Sequence, residues 1–427
     1  MLIAGGRVID PAGGVDAMLD VRIEGTVVSE FGERLAPHSG EEVIDATNCY
    51  VAPGFIDMHV HLREPGNPEK ETIASGVAAA AAGGFTAVAC MPNTSPAADT
   101  PDVLAEIGRK AACASLARVH PIGAVTLGRA GRMPVDFDAL AGAGAVAFSD
   151  DGSTIMDAGV LREAALAALN VPGCFISHAE DEHLKGDAVM NEGRVSSALH
   201  LPGSPSVAEH VIVARDLLIA RETRKAWHIA HLSTRTALEL LRWARTMGAT
   251  VSAEVTPHHL LLTDEAVRRL HGHAKVNPPL RTERDVEALL AGVRDGSIDA
   301  FATDHAPHTA AEKDADLRTA AVGFSGFETA LGAYALAVPD LPVRRFVELL
   351  STNPARILGV QGGALSLGAP ADVTIFADRA WTVDPHAFYS KGKCTPFAGM
   401  TFPRRAVATI VDGRLVMSGG RVLTEAA

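Results

Sequence analysis

The residues that could carry chemistry in this 427-residue chain are histidines and aspartates that follow short apolar runs. The first run ends in His59 and His61, and a spacing of two places both side chains on one face of a strand. Four later runs end in Asp150 and Asp151, in His178, in His228 and His231, and in Asp304 and His305. One such ending alone is equally typical of a cap, a loop or a core histidine, but five endings among eight runs indicate a shared site.

The residue types at these endings indicate a metal site. Imidazole and carboxylate groups together suit Zn²⁺ and similar divalent ions. Four histidines and two aspartates from these endings already exceed the needs of one tetrahedral ion, so two ions that share a bridging group fit better. The other histidines, His258, His259, His271 and His273 among them, are interpreted as structural.

The eight runs must lie side by side for these endings to meet. They cover residues 55–61, 85–91, 119–125, 143–149, 174–178, 227–231, 250–256 and 298–303, and Ala/Leu-rich helical patterns separate them. Short apolar strands with helical connections predict an α/β protein with a parallel sheet, and eight of them predict a closed, TIM-like (β/α)8 barrel. In that fold, active sites lie at the carboxyl ends of the strands. A doubly wound open sheet is the alternative, although no G-x-G-x-x-G motif follows any run.

Both ends of the chain have a different pattern from the centre. Short β-branched runs separated by glycines occur near each terminus, and Gly-Gly-Arg-Val is found at residues 5–8 and again at 419–422. This pattern predicts a small β-sandwich assembled from both termini around an inserted barrel. The predicted divisions are residues 1–53 for the first part of the sandwich, 54–359 for the barrel and 360–427 for the second part.

Composition excludes several classes of protein. The net charge of −13, without a Lys/Arg run longer than two, argues against a nucleic-acid partner. Residues 72–98 carry no charge, but glycines and prolines interrupt them, so we interpret them as a helix and a buried strand rather than a membrane span. Five cysteines without a C-x-x-C pair favour a reducing compartment. Because the N-terminus also lacks the apolar core of a signal peptide, we expect a cytoplasmic protein.

Longer motifs surround the candidate site residues in a fixed order. They are D-M-H-V-H-L-R-E-P-G at 57–66, M-P-N-T at 91–94, S-D-D-G at 149–152, S-H-A-E-D at 177–181, H-L-S-T at 231–234, K-V-N-P-P-L-R at 275–281 and T-D-H-A-P-H at 303–308. In these motifs the chain resembles the bacterial dihydroorotase family of the amidohydrolase superfamily. The resemblance extends over essentially the whole sequence.

This resemblance implies a two-ion zinc centre. His59, His61 and Asp304 would bind the more buried ion, and His178 and His231 the second. Many relatives bridge the ions with a carbamylated lysine from strand four, but no lysine lies between Lys110 and Lys185. The resemblance to one subgroup of the family makes Asp151 the replacement bridge, with Gly152 permitting the closer backbone approach that a shorter side chain needs.

The same resemblance implies a set of substrate contacts. The residues are Arg63, Asn93 and His308 for a substrate carboxylate, Asn277 for the ring amide, and Val322 with Gly323 for backbone contacts beside a lid at 309–323. Guanidinium geometry favours paired bonds to a carboxylate. Asp304 would act as the general base and then as the general acid.

The implied reaction is the reversible hydrolysis of dihydroorotate to carbamoyl-aspartate in pyrimidine biosynthesis. One alternative is a hydantoinase or allantoinase, members of which usually lack the arginine at position 63. Another is an inactive scaffold for aspartate transcarbamoylase. A homodimer and a complex with aspartate transcarbamoylase are the expected partners, and neither nucleic acid nor membrane is.

Overall fold

The computed structural model describes residues 1–423, in which strands from both chain ends flank a central barrel. The strands are β1 (Leu2–Asp10), β2 (Val15–Glu24), β3 (Val27–Gly32), β4 (Val43–Asp45), β5 (Tyr50–Pro53), β6 (Phe55–Val60), β7 (Phe85–Cys90), β8 (Arg118–Pro121), β9 (Phe148–Ser149), β10 (Phe175–Ser177), β11 (Met190–Asn191), β12 (Gly203–Ser204), β13 (Trp227–Ile229), β14 (Val251–Val255), β15 (Ala300–Phe301), β16 (Val373–Ala377), β17 (Trp381–Thr382), β18 (Thr401–Phe402), β19 (Arg405–Val411), β20 (Arg414–Ser418) and β21 (Arg421–Val422).

The α-helices lie between residues 73 and 358. They are α1 (Ile73–Gly83), α2 (Pro101–Ala114), α3 (Phe137–Gly142), α4 (Ala158–Ala167), α5 (Glu182–Lys185), α6 (Arg194–Leu199), α7 (Val207–Thr223), α8 (Arg235–Thr246), α9 (Pro257–Leu261), α10 (Val267–Leu270), α11 (Glu283–Asp295), α12 (Ala310–Lys313), α13 (Phe327–Ala337), α14 (Val343–Val347) and α15 (Asn353–Leu358). Within residues 1–423, no helix is long and apolar enough to cross a membrane.

The predicted (β/α)8 barrel is confirmed. Each of the eight apolar runs overlaps a strand, and these strands form two parallel sheets, β6-β7-β8 and β9-β10-β13-β14-β15. Parallel bridges from Gly123 to Phe148 and from Val60 to His305 join the two sheets at both seams. The carboxyl ends of all eight strands therefore surround one opening.

The apolar content of the strands explains why they are central. Every residue of β6 and β7 is buried, as expected for parallel strands covered on both sides. The uncharged segment 72–98 contains α1 and β7, so its interpretation as a helix and a strand is confirmed. Thr72 and Ser75 form a capping box at the start of α1, and Gly84 ends the helix at a φ of 92°.

A register irregularity in β6 orients the first two histidines. Ile56 and Met58 belong to an interior apolar cluster, so strict alternation would send His59 to the opposite side. The pairing with β7 shifts between Asp57 and Val60, however, and such bulges re-aim side chains beside functional sites.

Strands from both chain ends combine in one sheet of nine strands, which agrees with the predicted assembly from both termini. Its order is β21-β20-β19-β16-β5-β1-β2-β3, and β4 pairs with β1. The two faces of β16 pack into different hydrophobic cores. Val373 and Ile375 lie in the core of the sheet region, whereas Phe376 lies in the core between the barrel strands and their helices. The divisions after residues 53 and 359 stay predictions.

A hairpin-like excursion of the chain, residues 381–402, leaves this sheet region and packs against helix α13 of the barrel. β17 and β18 pair between residues 381 and 402, and Phe402 lies against Gly332 of α13. Ser390 in the same excursion donates to Glu71 at 2.5 Å. The sequence pattern did not predict this contact.

Candidate metal centre

Two groups of potential metal ligands share Asp151 at the carboxyl ends of the barrel strands. The first group is His59, His61 and Asp151, and the second is Asp151, His178 and His231; within each group the ligand atoms lie within 4.8 Å of one another. Asp151 Oδ1 lies 3.5 Å from His59 Nε2 and 3.5 Å from His178 Nδ1. Asp151 therefore lies between the two groups and belongs to both.

Asp304 adjoins the first group. Its Oδ1 lies 3.0 Å from His61 Nε2 and 3.6 Å from His59 Nε2. In the second group, His178 Nδ1 and His231 Nε2 face each other at 3.0 Å. The structure thus brings together all six residues that the resemblance implied as ligands.

Several polar atoms at the centre of this cluster are buried and have no hydrogen-bond partner among residues 1–423. They include His59 Nε2 and Asp151 Oδ1. An unpaired buried acceptor costs free energy unless an ion or another group satisfies it. Imidazole nitrogens and carboxylate oxygens at these spacings fit divalent ions of the zinc type.

One carboxylate and one amide, on the outer side of His59 and His61, fix which ring nitrogen of each histidine faces the cluster. His59 Nδ1 lies 2.6 Å from Glu254 Oε1, and His61 Nδ1 lies 2.9 Å from Asn93 Oδ1. Each Nδ1–H donates outward, so each Nε2 keeps its lone pair for an ion. The sequence motifs did not reveal Glu254, because its role depends on β14 lying beside β13.

Electrostatics at the cluster favour a cation. Burial alone would raise the pKa of Asp151, but the neighbouring imidazoles of His59, His178 and His231 outweigh burial and hold that pKa well below its usual range. Burial opposes protonation of His178, yet Asp151 and Glu180 raise its pKa to about 9. Because metal ligands must be deprotonated, an ion that binds here displaces protons.

Neighbouring motif residues have other partners. The Asp150 carboxylate accepts bonds from the amides of Val125 and Thr126, so it faces away from the ligand groups. His228 Nδ1 contacts Ser252 at 2.7 Å, and His305 Nε2 lies 3.3 Å from Glu71. The side chains of Asp150, His228 and His305 therefore bind protein groups next to the ligand cluster.

Arg63 and His308 lie next to each other at the rim of the opening. Arg63 Nη2 is 3.1 Å from His308 Nε2, and Arg63 Nε donates to the Pro307 carbonyl at 3.2 Å. His308 Nε2 is also 2.8 Å from the Val322 carbonyl. Burial and the Arg63 charge lower the pKa of His308 to about 3, so His308 is neutral and its single N–H, on Nε2, donates to the Val322 carbonyl.

The other implied substrate contacts are engaged with protein atoms. Asn277 accepts a bond from Lys185 Nζ at 2.7 Å and donates to the Val276 carbonyl at 2.9 Å. Gly323 N–H donates to the Lys275 carbonyl at 2.9 Å. The Asn93 amide oxygen lies 2.9 Å from His61 Nδ1, and its amide nitrogen lies near Gly152.

Two residues near the site were missed or set aside by sequence reasoning. Arg129 donates to the Asp151 carbonyl at 2.6 Å, and no motif surrounds it. His258, interpreted as structural, is buried with neither ring nitrogen hydrogen-bonded, and its ring lies 5.0 Å from that of Phe324. Its position just after a barrel strand was the only available signal.

Two family models match this chain. The model described as "Dihydro-orotase-like" matches residues 49–237, and the model described as "Amidohydrolase family" matches residues 199–417. Together they include all six ligand candidates.

Relatives called dihydroorotase match nearly the whole chain. That of Citrifermentans bemidjiense is 46% identical over 97% of this chain and 99% of its own. That of Pelotomaculum thermopropionicum is 47% identical over 98% of both chains, and that of Anaeromyxobacter dehalogenans 45% over 99% of this chain and 98% of its own.

Solved structures with the same fold include hydantoinases. The L-hydantoinase of Arthrobacter aurescens has a TM-score of 0.88 and 25% identity, over 99% of this chain and 97% of its own. The D-hydantoinase of a Thermus species has a TM-score of 0.85 and 23% identity, over 99% of this chain and 96% of its own, which supports the fold alone.

Proposed function

This chain belongs to the dihydroorotase family of the amidohydrolases, and we propose that it catalyses the reversible hydrolysis of (S)-dihydroorotate to N-carbamoyl-L-aspartate in pyrimidine biosynthesis. The observation that carries the proposal is the Arg63–His308 pair, 3.1 Å apart, beside the metal-ligand groups. A guanidinium fork with a neighbouring imidazole suits a carboxylate on the substrate ring.

We propose two zinc ions as cofactors. His59, His61 and Asp304 would hold one, His178 and His231 the other, and Asp151 both. The support for this assignment is that Asp151 belongs to both ligand groups. When bound, such ions would acidify a water molecule and polarise the ring amide carbonyl.

Asp304 is the proposed proton carrier. It lies beside His61 and at the carboxyl edge of the barrel, where the attacking water would stand. Burial raises its pKa, but the histidines around it outweigh burial and keep that pKa below its usual range, so it starts as a carboxylate base. It accepts the proton of the attacking water and returns that proton to the ring nitrogen as the C–N bond breaks.

The remaining residues bind and orient the substrate in this proposal. Arg63 and the Asn93 amide hold the ring carboxylate, and His308 Nε2–H turns from the Val322 carbonyl to the same group. Asn277, with Val322 and Gly323, would adjust from its present protein partners to contact the ring. Substrate binding then fixes the amide carbonyl in front of Asp304.

The test uses purified full-length protein stripped with a chelator and reloaded with zinc. Dihydroorotate, hydantoin, allantoin and dihydrouracil are then compared at equal concentration. We expect no turnover after stripping, recovery with two equivalents of zinc, and the highest kcat/KM for dihydroorotate. Preference for hydantoin or allantoin would assign the alternative cyclic amidase, and full activity without metal would refute the mechanism.

A bicarbonate series tests the proposed bridge. Because Asp151 needs no carbamylation, activity is expected to be independent of added bicarbonate during reloading. An Asp151→Ala variant should lose the second zinc equivalent. Bicarbonate-dependent activity would mean that a lysine bridges the ions instead.

Location and partners are further proposals. All five cysteines are free thiols, which supports a cytoplasmic location. A homodimer and a complex with aspartate transcarbamoylase are proposed from the family resemblance, and light scattering with and without that enzyme tests both. The scaffold alternative predicts no turnover in the same samples.

A further inference from the structure

Arg129 contacts the turn that carries the shared aspartate. Its Nη2 donates to the carbonyl of Asp151 at 2.6 Å and lies 3.3 Å from both the Asp150 carbonyl and Ser153 Oγ. One guanidinium nitrogen therefore contacts three residues of a single turn. Hydrogen bonds from a charged donor are about twice as strong as neutral ones.

The same turn is held from its other side. Asp150 Oδ1 accepts bonds from the Val125 amide at 2.8 Å and from the Thr126 amide at 3.1 Å. The segment that follows β8 thus binds the turn twice, once through the Asp150 side chain and once through Arg129. The two contacts leave the turn little freedom to move relative to β8.

Arg129 acts on the backbone and leaves the carboxylate free. Its bond goes to the carbonyl of Asp151, while Asp151 Oδ1 has no hydrogen-bond partner among the described residues. A cation that bound the carboxylate itself would compete with a metal ion. The observed contact fixes where the carboxylate lies without occupying its oxygens.

The position of the backbone affects the carboxylate oxygens more directly at Asp151 than it would at a longer bridging side chain. An aspartate has one methylene between backbone and carboxylate, so a displacement of the turn is passed directly to the oxygens. Gly152, the next residue, has a φ of 66°, a conformation that other residues rarely adopt. Glycine adopts this conformation without steric cost, so the turn keeps its shape and Arg129 fixes its position from outside.

We propose that Arg129 is a positioning residue that holds Asp151 at the point shared by the two ligand groups, and that binding of the second ion depends on it. This inference rests on the two-ion centre of the proposed function. The first ion keeps three other ligands, His59, His61 and Asp304. The second has only His178 and His231 besides Asp151, so it is the one that loses affinity when the turn shifts.

The test compares Arg129→Ala and Arg129→Lys with Arg132→Ala. Arg132 is an exposed arginine that lines the same surface groove, so its removal is a matched change of charge. Metal-free protein is titrated with Zn²⁺ against a chromophoric chelator, and with Co²⁺ to follow the visible spectrum of each equivalent. Circular dichroism and thermal unfolding of each metal-free variant show whether it is folded.

Changes behind a metal ligand commonly cost about 10–100-fold in metal affinity. We expect Arg129→Ala to weaken the second equivalent by that factor and to leave the first near its original affinity. Arg129→Lys, which retains one charged donor, should lose less, and Arg132→Ala should match the original protein. The Co²⁺ spectrum of the second equivalent should change only in the Arg129 variants.

Three outcomes would overturn the proposal: unchanged affinity for the second equivalent, equal weakening of both equivalents, or loss of folding in both Arg129 variants. Failure of the proposed function gives a different result. In that case the unaltered protein itself binds fewer than two equivalents, or turns over no dihydroorotate when both are bound.

Discussion

Arg63 is the residue that decides substrate choice in the proposed reaction. It adopts a φ of 61°, and the site residues His231 and Asp304 also have positive values, of 32° and 50°. Non-glycine residues rarely adopt this conformation, and they concentrate at functional sites whose surroundings impose it. The contacts of its guanidinium with the Pro307 carbonyl and His308 place the side chain of Arg63 at the rim.

Arg63→Ala is expected to reduce kcat/KM for dihydroorotate by about thirty-fold to several thousand-fold. Removing one partner of a buried charged pair costs roughly 2–5 kcal/mol. Steady-state kinetics and zinc content are measured on the same preparations. Any hydrolysis of dihydrouracil, which has no ring carboxylate, should change little.

Arg63→Lys is the matched variant, because it retains the positive charge and loses the paired donors of the guanidinium. It should lie between the alanine variant and the original protein. Equal losses on dihydroorotate and dihydrouracil, or a loss of zinc, would show that Arg63 supports the fold or the metal centre instead.

At the scale of elements, two buried lysines, Lys275 and Lys313, form hydrogen bonds with the segment that follows β15. Lys313 Nζ donates to the Ala321 carbonyl at 2.8 Å, and Lys275 Nζ donates to the Leu317 carbonyl at 2.8 Å. The Lys275 bond, with a second bond of 3.4 Å from Lys313 Nζ to the Lys275 carbonyl, holds residues 313–322 against the loop that contains Asn277. Both implied backbone contacts, Val322 and Gly323, lie at the end of that segment.

The pH dependence of stability tests the effect of burial on the pKa of Lys313. Burial, with a smaller contribution from the charge of Lys275, lowers the pKa of Lys313 to about 7. Between pH 7 and 10, the unfolded chain keeps this lysine protonated and the folded chain does not. The unfolded state then binds more protons, so the contribution of Lys313 to the free energy of unfolding rises with pH by about 1.4 kcal/mol per unit.

Lys313→Met removes this contribution. The variant also loses the hydrogen bonds of Lys313, so the prediction concerns the trend: its free energy of unfolding relative to the original protein should fall steadily from pH 7 to pH 10, as measured by urea unfolding at intervals of one pH unit. Lys391→Met, at an exposed lysine, is the control. A stability difference between Lys313→Met and the original protein that stays constant across this range would contradict the prediction.

At the scale of the whole molecule, buried threonines join the nine-stranded sheet to the barrel. Thr374 Oγ1 accepts from the Phe55 amide at 3.1 Å and donates to the Gly84 carbonyl at 2.7 Å. Phe55 begins β6, the strand that leads to His59 and His61. Thr409 makes a single such bond, from Oγ1 to the Ala81 carbonyl at 2.8 Å.

Thr374→Val keeps the side-chain shape and leaves two buried backbone groups unpaired. Each unpaired group costs about 1–3 kcal/mol, so the free energy of unfolding should fall by more than in Thr409→Val. Urea unfolding and zinc content are the measurements. We expect zinc binding to survive in both variants, and equal losses of stability would exclude the double role of Thr374.

The order of elements and the residue types of the site follow from the sequence. Short apolar runs with helical connections predict parallel strands, and eight of them favour a closed barrel over the open sheet, because hydrophobic periodicity is a local property of the chain. The endings of these runs likewise contain the histidines and aspartates that the barrel brings to one opening. The excursion that carries Ser390 lacks a comparable pattern, so it was not predicted.

Only the tertiary structure decided which side chains meet. The sequence does not distinguish the orientation of Asp150 from that of Asp151, yet the Val125 and Thr126 amides engage the first and leave the second among the imidazoles. Glu254 and Arg129 became part of the site only through strand pairing and loop packing. Contacts of this kind depend on register, bulges and closure between residues far apart in the chain, and local periodicity contains no information about these.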